Sequence, residues 1–166
     1  MLRAAPGAKK SFLPAIGRVV GSFAIDQRQP RSFTRLERRN GEDVDVVDIY
    51  VGKSHEFEDC SRKLIVHGDN EIGVFFVNGA FVAYENHCVH QGGPICQGQI
   101  RKKVIEPLAA DKTSLGLAYD EKTLHLVCPW HGYEFAMDTG RHPGKSSARL
   151  KNYKVNVRGE DVFVVV

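Results

Sequence analysis

The fold turns on Ile72-Gly73-Val74-Phe75-Phe76-Val77-Asn78-Gly79-Ala80-Phe81-Val82-Ala83-Tyr84. Two short apolar runs flank Asn78-Gly79, a dipeptide that accepts the positive φ angles of a type I′ turn and is the strongest short hairpin signal. Both runs are of strand length and neither shows helical periodicity. The same texture extends outward. Val46 to Val51 and Lys63 to His67 precede the hairpin, with Gly68-Asp69-Asn70 as a turn. Thr123 to Val127, Tyr133 to Ala136, Tyr153 to Val157 and Val162 to Val166 follow it, broken by Asp138-Thr139-Gly140 and Arg158-Gly159-Glu160-Asp161. Short strands at this spacing predict an all-β sandwich or barrel over residues 42–166. Residues 97–122 read as an insertion with a candidate strand at 103–106.

A chain of 166 residues has room for one domain with a proper core plus extensions. No run approaches the roughly 18 apolar residues of a membrane-spanning helix, so no membrane span is expected. The net charge of +3 is unevenly divided: residues 1–41 carry +7 and the remainder −4. Residues 1–41 therefore read as a basic N-terminal extension on an acidic body. Its basic residues are dispersed, and Phe12, Phe23 and Phe33 form no stacking series, so nucleic acid is not an expected partner. Met1 to Ala24 lacks acids and is compatible with an organelle transit peptide, whereas Gly17 and Arg18 interrupt any secretory core. The expected location is cytoplasmic, or an organelle matrix if the arm is a transit peptide. Four cysteines without a secretory signal point to a reducing compartment.

Two segments carry chemistry: Cys88-Val89-His90-Gln91-Gly92-Gly93-Pro94 and Cys128-Pro129-Trp130-His131-Gly132. Each offers one soft thiolate and one imidazole within a few residues. A two-iron cluster with unlike ends requires that set, with Cys88 and Cys128 on an inner iron and His90 and His131 on an outer one. Glycines permit tight backbone approach there, and backbone N–H groups can offset the cluster's negative charge. On ligand types alone, a structural zinc site is equally admissible.

The flanking residues resemble the Rieske family. Cys-x-His-x-Gly-Gly-Pro followed by Cys-Pro-Trp-His-Gly is similar to that family's signature. The hairpin from Asn78 to Asn86 resembles the strand pair that leads into its first ligand loop, and Asp138-Thr139-Gly140 the turn after its second. The resemblance covers residues 46–166. It implies a β-sandwich with a small cluster-binding subdomain, and one Rieske-type [2Fe–2S] cluster on Cys88, His90, Cys128 and His131.

Within the family, the cytochrome bc-complex type has an extra Cys in each loop, joined as a disulfide; Gly93 and Trp130 stand there in this chain. Its Ser and Tyr hydrogen-bond donors correspond to Tyr133 and Phe135, which predicts a potential in the lower part of the roughly −150 to +300 mV Rieske range. The oxygenase type needs a second iron on a two-His, one-carboxylate triad. His142 is the only histidine after His131, and His55, His67, His87 and His125 read as surface or strand-end residues. The chain resembles instead the ferredoxin subunits of ring-hydroxylating dioxygenases and the small subunit of nitrite reductases. That likeness implies a one-electron carrier between a flavin-dependent reductase and a terminal oxygenase or reductase, with no substrate-converting site of its own. A redox-sensing subunit of a larger complex and a zinc-stabilised interaction module are the alternatives. Cys60 is expected to be a free thiol and Cys96 a packed thiol beside the first loop.

Overall fold

A computed structural model describes residues 31–166; the expectations for Met1 to Ala24 lie outside the described residues. These hold twelve strands: β1 (Ser32–Arg39), β2 (Glu42–Lys53), β3 (Ser61–His67), β4 (Asn70–Val77), β5 (Ala80–Glu85), β6 (Gln99–Ile105), β7 (Ala118–Val127), β8 (Glu134–Ala136), β9 (Arg141–His142), β10 (Lys145–Arg149), β11 (Asn152–Arg158) and β12 (Asp161–Val165). Seven form one curled antiparallel sheet in the order β1-β2-β12-β11-β5-β4-β3. β6-β7-β8 make a second sheet, and β9 pairs with β10. The only helices among the described residues are single turns at Ser54–Glu56 and Ile95–Gln97.

The unbroken apolar run of β4 arises because that strand is covered on both faces. Ile72 and Val74 point into the curl of the large sheet with Phe57, Ala83, Val162 and Val164. Phe75 and Val77 point the other way, into a second core with Ile95, Leu126, Phe135, Met137 and Leu150. A strand with one wet face would alternate; this one cannot. Asn78 and Gly79 turn the chain at φ 50° and 77°, and Val77 pairs with Ala80 across the turn. The second core seats the β6-β7-β8 sheet against β4 and β5.

Two regions extend the sequence reading. Asn40-Gly41, at φ 54° and 88°, closes a second hairpin in which β1 pairs with β2 from Ser32↔Ile49 to Arg39↔Glu42. Residues 32–39 of the basic segment are thus part of the large sheet, and the expected boundary at 41 falls inside a hairpin turn. Residues 97–122 contain β6 and the first half of β7, paired as a hairpin with a register shift between Lys102 and Lys103.

One buried carboxylate fastens β1 and β11 to β2. Asp48 is fully buried and accepts from Arg35 Nε at 2.7 Å and from Arg158 Nη2 at 2.6 Å. Burial pushes the Asp48 pKa up, but the Arg158 and Arg35 hydrogen bonds and charges outweigh it and hold the carboxyl below the usual carboxylate range. A depressed carboxyl stabilises above its unfolded pKa of about 3.9 and loses that contribution as pH falls through its folded value. Asp48→Asn is expected to cost about 2 kcal/mol at pH 7, with the gap to wild type shrinking below about pH 4. Urea unfolding at both pH values measures it, and an equal gap at each would contradict the assignment.

Candidate metal centre

Two loops of one design stand side by side at the end of the smaller sheet. In the first, the Cys88 N–H donates to the Gly93 carbonyl at 2.8 Å and the Gly92 N–H to the Cys88 carbonyl at 2.7 Å. In the second, the Cys128 N–H donates to the Tyr133 carbonyl at 2.8 Å and the Gly132 N–H to the Cys128 carbonyl at 3.0 Å. Each cysteine is thus followed four residues later by a glycine that closes the turn, at φ 74° for Gly92 and 69° for Gly132. A side chain in that left-handed region would cost roughly 1–2 kcal/mol. Gly93 joins the two loops. A Cβ there would lie 2.9 Å from Trp130 Cδ2 and 3.1 Å from Cys128 Sγ.

The donors divide into an inner and an outer pair. Cys88 and Cys128 are 1% and 3% exposed, embedded in the core shared with Phe75, Leu126 and Phe135. Burial pushes the Cys88 thiol up. The His90 backbone N–H pulls against this, the hydrogen-bonded Cys128 thiol adds to the rise, and the Gln91 N–H again opposes it. A dry thiol that resists ionising alone, as Cys88 does, becomes a thiolate when a metal cation supplies the missing charge. His90 and His131 are exposed, their ring centroids 5.0 Å apart and their planes nearly perpendicular at 89°. Among the described residues no three His, Cys, Asp or Glu side chains gather as they would round a single ion. Two sulfur donors inside, two nitrogen donors outside and N–H groups aimed at a sulfur are the donor set that a two-iron cluster with unlike ends fits.

The surroundings include contacts the sequence reading did not foresee. The Tyr133 ring stacks on His90 with centroids 4.5 Å apart and planes 2° from parallel, and it meets His142 at 4.4 Å. Trp130 lies against Gly93 while remaining 58% exposed. His125 corrects an expectation. It is not a surface residue but 2% exposed, with Nδ1 2.8 Å from Glu134 Oε2. Its place in β7 hides it because β8 covers that edge of the strand and supplies a carboxylate partner. His55 and His87 are exposed, and His67 is half-buried at the end of β3.

Cys96 packs beside the first loop, fully buried, with its thiol donating to the Tyr84 carbonyl at 3.4 Å. Its backbone N–H donates to Asn86 Oδ1 at 2.7 Å, and burial pushes its thiol up to about 12. Cys60 is an exposed free thiol. Iodoacetamide on the folded, metal-loaded protein is accordingly expected to label Cys60 and spare Cys96; peptide mapping that finds Cys96 alkylated at a similar rate would contradict its packing. Gly93→Ala is expected to cut iron loading severalfold without unfolding the large sheet. Iron content normalised to protein reads the effect, and full loading would show that the loops do not need to approach so closely.

The chain is similar to several known proteins. The profile of the Rieske [2Fe-2S] domain matches residues 48–154. A human Rieske domain-containing protein is 27% identical over 92 residues, which are 55% of this chain and 48% of that protein. The match therefore spans about half the length of this curated relative. Among solved structures, one chain is described as an NADH-dependent nitrite reductase small subunit from Mycobacterium tuberculosis. It has a TM-score of 0.55 at 13% identity, over 73% of this chain and 96% of its own. The Escherichia coli protein NirD gives 0.52 at 14% identity, over 73% and 97%. A chain from the complex of oxygenase and ferredoxin in carbazole 1,9a-dioxygenase gives 0.51 at 21% identity, over 70% and 91%. At these identities the structures establish a shared fold. With its profile matched over more than half the chain, this protein belongs to the Rieske [2Fe-2S] domain family, and the cofactor that membership implies is one [2Fe–2S] cluster.

Proposed function

We propose that this chain is a one-electron carrier whose cluster is held by Cys88 and Cys128 on the inner iron and by His90 and His131 on the outer. The observation that carries the proposal is the opposite burial of the two donor pairs. A [2Fe–2S] group in such a site accepts and returns a single electron. The thiols, embedded among Phe75, Leu126 and Phe135, keep water from the sulfur end. The imidazoles occupy the surface, where a partner can approach within tunnelling distance. Val89 at 45% exposure and Trp130 at 58% flank them, giving that edge an apolar rim suited to a short-lived protein contact. Phe135 has no hydroxyl and Tyr133 faces the His90 ring, which supports a potential in the lower part of the roughly −150 to +300 mV range.

The partners in this reading are a flavin-dependent reductase as donor and a terminal oxygenase or reductase as acceptor. The solved relatives include a ferredoxin found with its oxygenase and a nitrite reductase small subunit, which supports that direction. Among the described residues no helix is long and apolar enough to cross a membrane.

The test starts with the purified protein. It is expected to be red-brown and, after dithionite, to give the rhombic EPR signal of mixed His and Cys ligation. His131→Ala should abolish that signal, and its survival would refute the ligand assignment. A colourless protein holding zinc would return the chain to the interaction-module reading. Stopped-flow mixing with an NADH-reduced flavin reductase should then reduce the centre at rates matching turnover of the acceptor. Reduction far slower than turnover would favour a sensor.

A further inference from the structure

His90 lacks the support a ligand histidine usually has. Among the described residues its imidazole has no hydrogen-bond partner, and its ring contacts are with His131 and Tyr133. An exposed imidazole turns readily about its last torsion, which has a broad two-fold profile. The His131 ring stands near-perpendicular to those of His90 and Trp130, with centroids 5.0 and 6.3 Å away. Among the described residues only Tyr133 meets one of the two imidazoles face to face, with centroids 4.5 Å apart and planes 2° from parallel.

Tyr133 is itself fixed from three directions. Its carbonyl accepts the Cys128 N–H at 2.8 Å, so its backbone belongs to the second loop while its ring reaches the histidine of the first. Phe135, fully buried, supports it at 5.9 Å. His142 meets it at 4.4 Å, and the His142 ring is held by the Gly144 N–H, which donates to Nδ1 at 3.0 Å. The contacts run from the β9–β10 turn through His142 and Tyr133 to His90.

Resting on the ligand assignment above, we propose that Tyr133, backed by His142, is a positioning residue that locks the plane of the His90 imidazole and shields one face of it from water. The ring is the working part and the hydroxyl is not, because the contact is made by ring faces. The electron taken up adds a negative charge at this end, and water stabilises such a charge, so greater solvent exposure raises the potential. Removing the ring should therefore raise the midpoint potential and broaden the EPR signal, as His90 samples several orientations.

The experiment compares wild type, Tyr133→Phe, Tyr133→Leu and His142→Ala as full-length, cluster-loaded proteins. Iron and acid-labile sulfide are assayed first, then midpoint potential and EPR line shape. Y133F is expected to match wild type. Y133L should show a raised potential and a broadened signal at unchanged iron and sulfide content, and H142A a smaller shift of the same sign. If Y133F moves as far as Y133L, the hydroxyl is the operative group and the proposal fails. A Y133L potential and line shape equal to wild type overturn it as well. Should Y133L fail to load, the decision rests on Y133F and H142A: an unchanged Y133F with a raised H142A supports the relay, and an unmoved H142A overturns it. Wild-type protein without a mixed His/Cys signal would instead sink the ligand assignment, an outcome distinguishable from all of these.

Discussion

The structure depends on how the ends of two loops are closed. A carbonyl on each cysteine accepts the N–H of a glycine four residues on, and each cysteine N–H donates one residue further. This repeated turn points the thiols inward and leaves both histidines outside. Because it is made by backbone groups, it tolerates different spacing between cysteine and histidine: the histidine stands two residues after Cys88 and three after Cys128. Gly92 and Gly132 make the turn possible by their positive φ, and Gly93 lets the two turns touch.

The rest of the fold keeps those turns adjacent. The first loop leaves β5 of the large sheet, and the second leaves β7 of the small one, so their relative position is set by how the two sheets pack. β4 and β5 supply that packing by burying side chains on both faces, Ile72, Val74 and Ala83 on one and Phe75, Val77 and Tyr84 on the other. The Tyr84 hydroxyl donates to the Met137 carbonyl at 2.9 Å, tying β5 to the chain that leaves β8. Truncating a fully buried aromatic such as Phe75 or Phe135 would remove about 3 kcal/mol. The loss would fall on the interface that sets the distance between the two Cys/His loops. Stability and the adjacency of those loops are linked through the same side chains.

Much of this was legible in the sequence. Asn78-Gly79 between apolar runs announced the central hairpin. The two Cys/His segments, by their residue types and flanking glycines and prolines, announced the family to which the chain belongs. β1 was hidden because its side chains are mostly polar, and Phe33 and Leu36 stay exposed. Yet Asn40-Gly41 carries the same turn signal as Asn78-Gly79, and weighing it equally would have found the strand. His125 was hidden for another reason. A histidine between Leu124 and Leu126 reads as the wet face of an alternating strand, and only the fold reveals that β8 places Glu134 beside it. Tyr133 on His90 joins two loops with 37 residues between His90 and Cys128, and local sequence carries no record of which faces meet. Asp48 is similar: its arginine partners come from β1 and β11, on either side of it in the chain.

The central claim is that two irons are gripped unequally, by sulfur on the buried side and by nitrogen on the exposed side. Mössbauer spectroscopy of the reduced protein, grown on iron-57, addresses each iron separately. The account predicts two distinct sites in equal amounts, a ferric one with sulfur ligation and a ferrous one whose isomer shift reports nitrogen ligands. Two equivalent sulfur-ligated irons, or a single iron site, would contradict it.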